Sequence, residues 1–228
     1  MIGVNDEIGD VDAIIIPGTR NSTEDMFALH ESGLAERIIE KSGEIPIVGI
    51  CGGLQILSNI IHDEDKRESK HGTIEGLGLL DIESSFSRAG KIVTQSVATI
   101  PDDLNGIAGE IFKDISGEEV AGYEIHEGTT ELLNSKPLLN IKKGQGNNDE
   151  GLIDGASNGN AFGTYFHGIF HNYNFRREFL NYIRVKKGLE AKHGEDPYET
   201  QKDYSLNRLA EIVEENLDMD IIDRLLFE

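Results

Sequence analysis

The sequence predicts an α/β fold, a three-layer sandwich around a mostly parallel central sheet, and three stretches carry that prediction. Residues 11–18 and 45–51 are apolar runs containing β-branched residues, the mark of strands buried on both faces. Each ends in small residues and gives way to helical apolar spacing, so the order is strand, helix, strand, helix. That order calls for parallel strands joined by right-handed crossovers. A third run, 161–170, reads as another strand, ending at His167 just before Gly168.

Residues 1–10 are polar and give a short strand at best. The run at 11–18 closes on Pro17-Gly18 and a polar turn, where Ser22 or Thr23 caps a helix through Asp25, Met26, Leu29 and His30. A second helical stretch covers 33–41. The run Ile45-Pro46-Ile47-Val48-Gly49-Ile50-Cys51 then stops, Gly52-Gly53 permits a sharp turn, and Leu54 onward is helical. Residues 62–70 are strongly charged and predict a solvated loop. Residues 79–82 open a strand, and 91–100 with 120–126 suggest antiparallel strands at the sheet margin. The Asn- and Gly-rich stretch 134–160 predicts a mobile hairpin loop. After the run ending at His167, Asn172 or Asn174 caps a helix bearing Phe175, Phe179, Tyr182 and Ile183, which Gly188 ends. Residues 190–228 hold twelve acids and four bases, predicting an acidic linker around Pro197 and a last helix capped at Ser205. The expected organisation is one domain over 1–189, with the linker and helix of 190–228 packed on it.

A formal net charge of -21 over 228 residues argues against nucleic acid or an anionic membrane as the main partner, since either would repel this surface. The single cysteine excludes an intramolecular disulfide framework and fits a reducing cytoplasm. No apolar run is long enough to span a bilayer.

Cys51 and His167 are the candidate catalytic pair. A strand-elbow-helix lifts a side chain above the sheet edge at a helix N-terminus, where thiolate is favoured. By itself the elbow is equally compatible with a small buried core cysteine. A free thiol ionises near pH 8.5, so a cysteine enzyme needs an imidazole beside it. Both residues end strands, and in parallel sheets ligands collect at those ends. Backbone N–H groups at Gly18 and Gly52 are placed to receive an oxyanion. Gln55, one helical turn beyond Cys51, is placed to bind a polar substrate end. A metal site built from Cys51, His126, His167 and His171 is a weaker alternative, because only His167 and His171 have ligand-like spacing.

Gly49-Ile50-Cys51-Gly52-Gly53-Leu54-Gln55 resembles the nucleophile motif of class I, triad-type glutamine amidotransferases, and Ile16-Pro17-Gly18-Thr19-Arg20-Asn21 resembles their oxyanion strand. Gly122-Tyr123-Glu124-Ile125-His126-Glu127-Gly128 and Phe162-Gly163-Thr164-Tyr165-Phe166-His167-Gly168-Ile169-Phe170 are similar to the cobyric acid synthase group of the cobalamin-pathway branch. Phe175-Arg176 and 206–220 match that group as well. The resemblance implies a flavodoxin-like sheet and glutamine hydrolysis through a thioester on Cys51, with His167 as acid and base. The ammonia would amidate corrinoid side-chain carboxylates. It also implies no cofactor in this chain, with ATP and Mg expected on an ATP-dependent synthetase domain or subunit, because no Gly-x-x-x-x-Gly-Lys-[Ser/Thr] loop occurs here.

Two departures accompany the resemblance. Most triad amidotransferases place a Glu two positions after the histidine, where this chain has Ile169, as the cobalamin branch does. The orienting partner is therefore open, with Tyr123, Glu124 and His126 as candidates for orienting or substrate contacts. Too little chain precedes Asp12 for the two strands that usually open the sheet, so a sheet lacking its first strands is expected. The alternatives are an amidotransferase subunit of the lipid II isoglutaminyl synthase type, and an inactive binding module.

Overall fold

Proline and glycine punctuate the chain closely enough to keep most elements short. The computed structural model describes residues 2–86 and 90–227. In chain order it contains β1 (Ile14–Ile16), α1 (Ser22–Glu31), α2 (Leu34–Ser42), β2 (Ile47–Ile50) and α3 (Gly52–Ile56). Next come β3 (Ile60–His62), β4 (Ile74–Glu75), β5 (Ile82–Ser85), β6 (Ile92–Thr99), α4 (Gly106–Phe112), β7 (Glu119–His126) and β8 (Thr129–Leu132). The remainder is β9 (Leu139–Lys143), β10 (Ile153–Asp154), β11 (Ala156–Asn158), β12 (Ala161–Thr164), α5 (Tyr173–Lys186), α6 (Pro197–Asn216) and α7 (Met219–Phe227).

The central sheet runs β1-β2-β12-β11, with β1, β2 and β12 parallel and β11 antiparallel. Side chains alternate across it, and that alternation makes the three layers. Ile47 and Ala161 point into a core shared with Met26, Leu29, Leu34 and Ile38 of α1 and α2. Val48 and Phe162 point the other way, into a core with Ile107, Ile111 and Phe112 of α4 and Phe175 and Phe179 of α5. Phe112 stacks on Phe175 with centroids 4.1 Å apart and meets Phe162 edge-on at 5.5 Å, so aromatic packing locks this second layer. Two further sheets, β4-β3-β5-β8 and β10-β9-β6-β7, complete the architecture. The expected antiparallel pairing of 91–100 with 120–126 is the β6–β7 ladder, in register from Ile92 opposite His126 to Thr99 opposite Glu119.

Several elements differ from expectation for local reasons. Residues 1–10 form no strand among the described residues. Ile15, expected to be buried, is half exposed because β1 is an edge strand. The α1 cap is Asn21, whose side chain accepts from the Glu24 N–H at 2.9 Å. The helix after the elbow starts at Gly52 and lasts five residues. The charged stretch 62–70 is not simply solvated: Asp63 is buried and its carboxylate accepts from the backbone N–H groups of Arg67, Glu68 and Ser69. Stretch 134–160 is ordered rather than a mobile loop, since it contains β9, β10 and β11. Its Asn147 is fully buried and makes two hydrogen bonds with the Gly155 backbone. Glycine served there as close-approach backbone: a Cβ on Gly146 would stand 2.2 Å from the Ile153 carbonyl oxygen.

The chain divides into two units, 1–191 and 192–228. The second consists of α6 and α7. Asp196 caps α6 by accepting from the Tyr198 N–H at 2.9 Å, with Pro197 in the first turn. Ser205 therefore lies inside a helix and donates to the Gln201 carbonyl. Pro197, taken as a linker signal, is a helix-start signal.

Candidate active site

The elbow is built by steric necessity. Cys51 holds φ 53 and ψ −111, a conformation costing a non-glycine residue about 1–3 kcal/mol and found where function demands it. Its N–H donates to the Thr164 carbonyl at 2.8 Å, carrying the β2–β12 pairing to the very tip of the sheet. Around it, every glycine stands against backbone or a neighbouring side chain. A Cβ on Gly49 would meet the Gly53 carbonyl carbon at 2.6 Å, on Gly52 the Thr19 Cγ2 at 2.4 Å, and on Gly53 the Ile16 carbonyl oxygen at 2.1 Å.

His167 reaches the same place by a different route. Strand β12 stops at Thr164 because buried Asp154 takes the Tyr165 N–H at 3.1 Å while the Thr164 hydroxyl takes the Phe166 N–H at 2.9 Å. The diverted backbone at His167 then pairs with Tyr123 of β7, through bonds of 2.8 and 3.1 Å. The Tyr123 ring stacks on the imidazole with centroids 5.1 Å apart and planes 10° apart.

Gly18 measures how close the pair is. A Cβ there would lie 3.0 Å from His167 Cε1 and 3.6 Å from Cys51 Cβ, so both side chains border one small space. That space belongs to a cavity of about 640 Å³, which Gln55, Glu68, Arg20 and Tyr123 also line.

Burial disfavours the charged form of both groups. Burial pushes the Cys51 thiol up to about 11, the Gly52 backbone N–H opposes this, and the charges of Asp154 and Glu68 add to it. Burial also lowers the His167 pKa, as does nearby His126, while a backbone hydrogen bond with Ile125 acts in the other direction. Nε2 of His167 is buried with no hydrogen-bond partner among the described residues.

The orienting contacts differ from those considered at Glu124 and His126. Glu124 is fully buried and does not border the cavity. Burial would raise its pKa, but hydrogen bonds from His126, Ser96 and the Gln145 and Gly146 backbones hold it at about 2. His126 borders the cavity, faces Glu124 through Nε2 at 3.2 Å and stacks on Tyr165 at 3.8 Å. Neither hydrogen-bonds to His167. What touches both Cys51 and His167 is the Ile125 backbone: its carbonyl receives the Cys51 thiol at 3.5 Å, and it bonds to the His167 ring. Ile169 is buried in the second core, so that position is apolar filling.

The Gln55 amide is already occupied. Its Oε1 accepts from Ser22 at 2.5 Å, and its Nε2 donates to the Glu127 carbonyl at 3.0 Å and to Tyr165 at 3.3 Å. It braces the elbow against neighbouring turns. His171 lies outside the cavity lining, and no three His, Cys, Asp or Glu side chains among the described residues gather as a metal site.

Asp154 escaped the sequence reading because it lies in the stretch taken for a loop. Burial raises its pKa to about 7 against the opposing hydrogen bonds from Thr164 and Tyr165, with the Glu124 charge adding to the rise. A raised carboxyl stabilises the fold fully below its unfolded pKa of about 3.9, and that contribution is lost as pH climbs through about 7. Asp154→Asn is expected to flatten the fall in melting temperature over that window. It is also expected to move the midpoint of the iodoacetamide reaction of Cys51 to lower pH, because one of the charges that disfavour thiolate is gone. An unmoved midpoint would separate Asp154 from the thiol.

Residues 1–175 match the CobB/CobQ-like glutamine amidotransferase domain. The chain belongs to this family. This amidotransferase domain is 48% identical over 227 residues to the probable cobyric acid synthase of Methanothermobacter thermautotrophicus, covering 99% of this chain and 44% of that protein. It is 43% identical over 226 residues to the cobyric acid synthase of Dehalococcoides mccartyi, covering 97% and 43%. The chain thus spans less than half the length of these curated relatives. Its fold is shared with the PurLQS structure from Thermotoga maritima, at a TM-score of 0.57 and 24% identity over 80% of this chain and 84% of that one. No helix among the described residues is long and apolar enough to cross a membrane.

Proposed function

We propose that this chain is the glutamine-hydrolysing part of a cobyric acid synthase, supplying ammonia for ATP-dependent amidation of corrinoid side-chain carboxylates in the cytoplasm. The observation that carries the reading is the shared space at Gly18, bordered at once by Cys51 and by a histidine whose Nε2 has no partner among the described residues. The cobyric acid synthase relatives favour the corrinoid reading over a lipid II isoglutaminyl synthase type.

The geometry supports a proton-coupled attack. The Cys51 thiol proton passes to His167 Nε2 as sulfur bonds to the glutamine side-chain carbonyl carbon. The carbonyl electron pair moves onto oxygen, where the Gly52 N–H, which already faces the sulfur, and the Gly18 turn receive it. The oxyanion collapses, the C–N bond breaks, and His167 returns its proton to the departing ammonia. Water, deprotonated by His167, then cleaves the thioester to glutamate. Tyr123 keeps the imidazole plane fixed throughout. Because burial disfavours both thiolate and imidazolium, a buried charge pair is not favoured before substrate arrives. ATP and Mg belong to the amide-forming part of the complex.

The test uses glutamine labelled with ¹⁵N at the amide, together with ATP, Mg²⁺, a corrinoid acid and a P-loop synthetase partner. Label is expected in the corrinoid amides in step with glutamate release. Transfer to a lipid-linked isoglutamyl acceptor instead, or glutamate release with no corrinoid labelling, would refute the assignment.

A further inference from the structure

We infer that Glu68 recognises the α-ammonium group of the amino acid whose side chain Cys51 attacks. This rests on glutamine being the substrate of the cavity and goes further by naming the residue that tells an amino acid from a simple amide.

Glu68 is presented to the cavity by a purpose-built loop. The buried Asp63 carboxylate gathers the N–H groups of Arg67, Glu68 and Ser69 at 2.7, 3.1 and 3.0 Å, which closes the loop on itself. The loop is then tied to the turn after Gly18: the Asn21 side chain donates to the Glu68 carbonyl, and the Ser22 N–H donates to Glu68 Oε2 at 2.9 Å. A surface acid needs none of this. The result is a half-buried carboxylate on the cavity wall, close enough to Cys51 for its charge to act on the sulfur.

Its immediate neighbours carry negative charge. Burial acts on Glu68 first, the Ser22 N–H opposes it, and Asp63, Glu127 and Asp25 all add negative charge, so its pKa is raised. No positive side chain among the described residues pairs with it. A metal ion is a poor candidate for that place, because no three ligating groups among the described residues converge there. A single ammonium entering with the substrate supplies the missing charge and finds an acceptor already fixed in position. The α-carbon of glutamine lies only a few bonds from the carbon that the thiol attacks, so its ammonium and the amide belong in one cavity. Arg20 and Lys91, also on the wall, leave the α-carboxylate its own attraction.

The test compares glutamine with glutaramate, the same side-chain amide lacking the α-ammonium, on the full chain and its Glu68→Gln variant. The wild type is expected to prefer glutamine. Glu68→Gln is expected to raise the KM for glutamine at least ~10-fold with kcat within about 2-fold, consistent with loss of one charged hydrogen bond. The preference over glutaramate should fall by a similar factor, and Glu68→Asp should recover part of it. Iodoacetamide, which carries no ammonium, should alkylate Cys51 no more slowly than in the wild type, because the variant removes a charge that disfavours thiolate. A wild-type preference that survives Glu68→Gln would overturn the role of Glu68 alone. Equal loss towards both substrates and towards iodoacetamide would mark a collapsed loop and overturn it too. A wild type that hydrolyses neither amide would remove the glutaminase reading together with this one.

Discussion

Cys51→Ala is expected to lower glutamine hydrolysis by at least ~10⁴-fold, as removal of a covalent nucleophile does in enzymes of this mechanistic type. No other thiol exists in the chain to replace it. Use of externally supplied ammonia by an amide-forming partner should be untouched, because that step needs no thioester. The variant should remain folded: alanine accepts the same φ of 53 with the same strain, and the lost sulfur leaves only a small void at the cavity edge. Glutamate production by a coupled dehydrogenase assay, with a melting curve alongside, makes the measurement. Residual hydrolysis within tenfold of the wild type would mean that the attacking group lies elsewhere.

Gly53→Val is expected to destabilise the domain by about 3–5 kcal/mol or prevent its folding, well beyond an ordinary surface change. The branched side chain would be driven into the Ile16 carbonyl oxygen, 2.1 Å from where its Cβ must stand. That oxygen belongs to β1, which is held to β2 by parallel pairing and cannot step aside without breaking the ladder. Denaturant unfolding reads the loss, and Gly159→Val is the control: nothing lies within 4 Å of its added Cβ, although a positive φ there carries its own modest strain. Comparable stability of the two variants would show that the elbow tolerates separation of α3 from β1.

The neighbours Cys51 and His167 were legible in the sequence as a candidate pair because each half is a local signal: an apolar run, a chemically distinct residue, then glycine. The layers were legible for a similar reason, since alternation at Ile47-Val48 and Ala161-Phe162 sorts side chains to two cores. What escaped were residues whose meaning depends on distant partners. Asp63 and Asp154 look like solvated acids in charged or Asn-rich stretches, and only burial beside backbone N–H groups makes them organisers. Asn147 was hidden in the same way within a glycine-rich segment. Tyr123, named from its motif, does stack on the His167 ring, whereas the Ile125 contact could not be read, because it comes from the backbone and a main-chain oxygen has no letter in the sequence. Pro197 and Ser205 show the opposite error, a local signal assigned to the wrong end of a helix.

The attachment of His167 and Cys51 to β7 makes strand register a determinant of competence. Tyr123 and Ile125 occupy alternate positions on one strand, facing Gln95 and Val93 of β6, and between them they touch both His167 and Cys51. A slip of a single residue in the β6–β7 ladder would turn these positions to the opposite face and bring Glu124 and His126 to theirs. The protein would keep its hydrogen-bonded sheet and lose these contacts, so a misregistered population would be well folded by spectroscopy yet would no longer hold Tyr123 and Ile125 against His167 and Cys51.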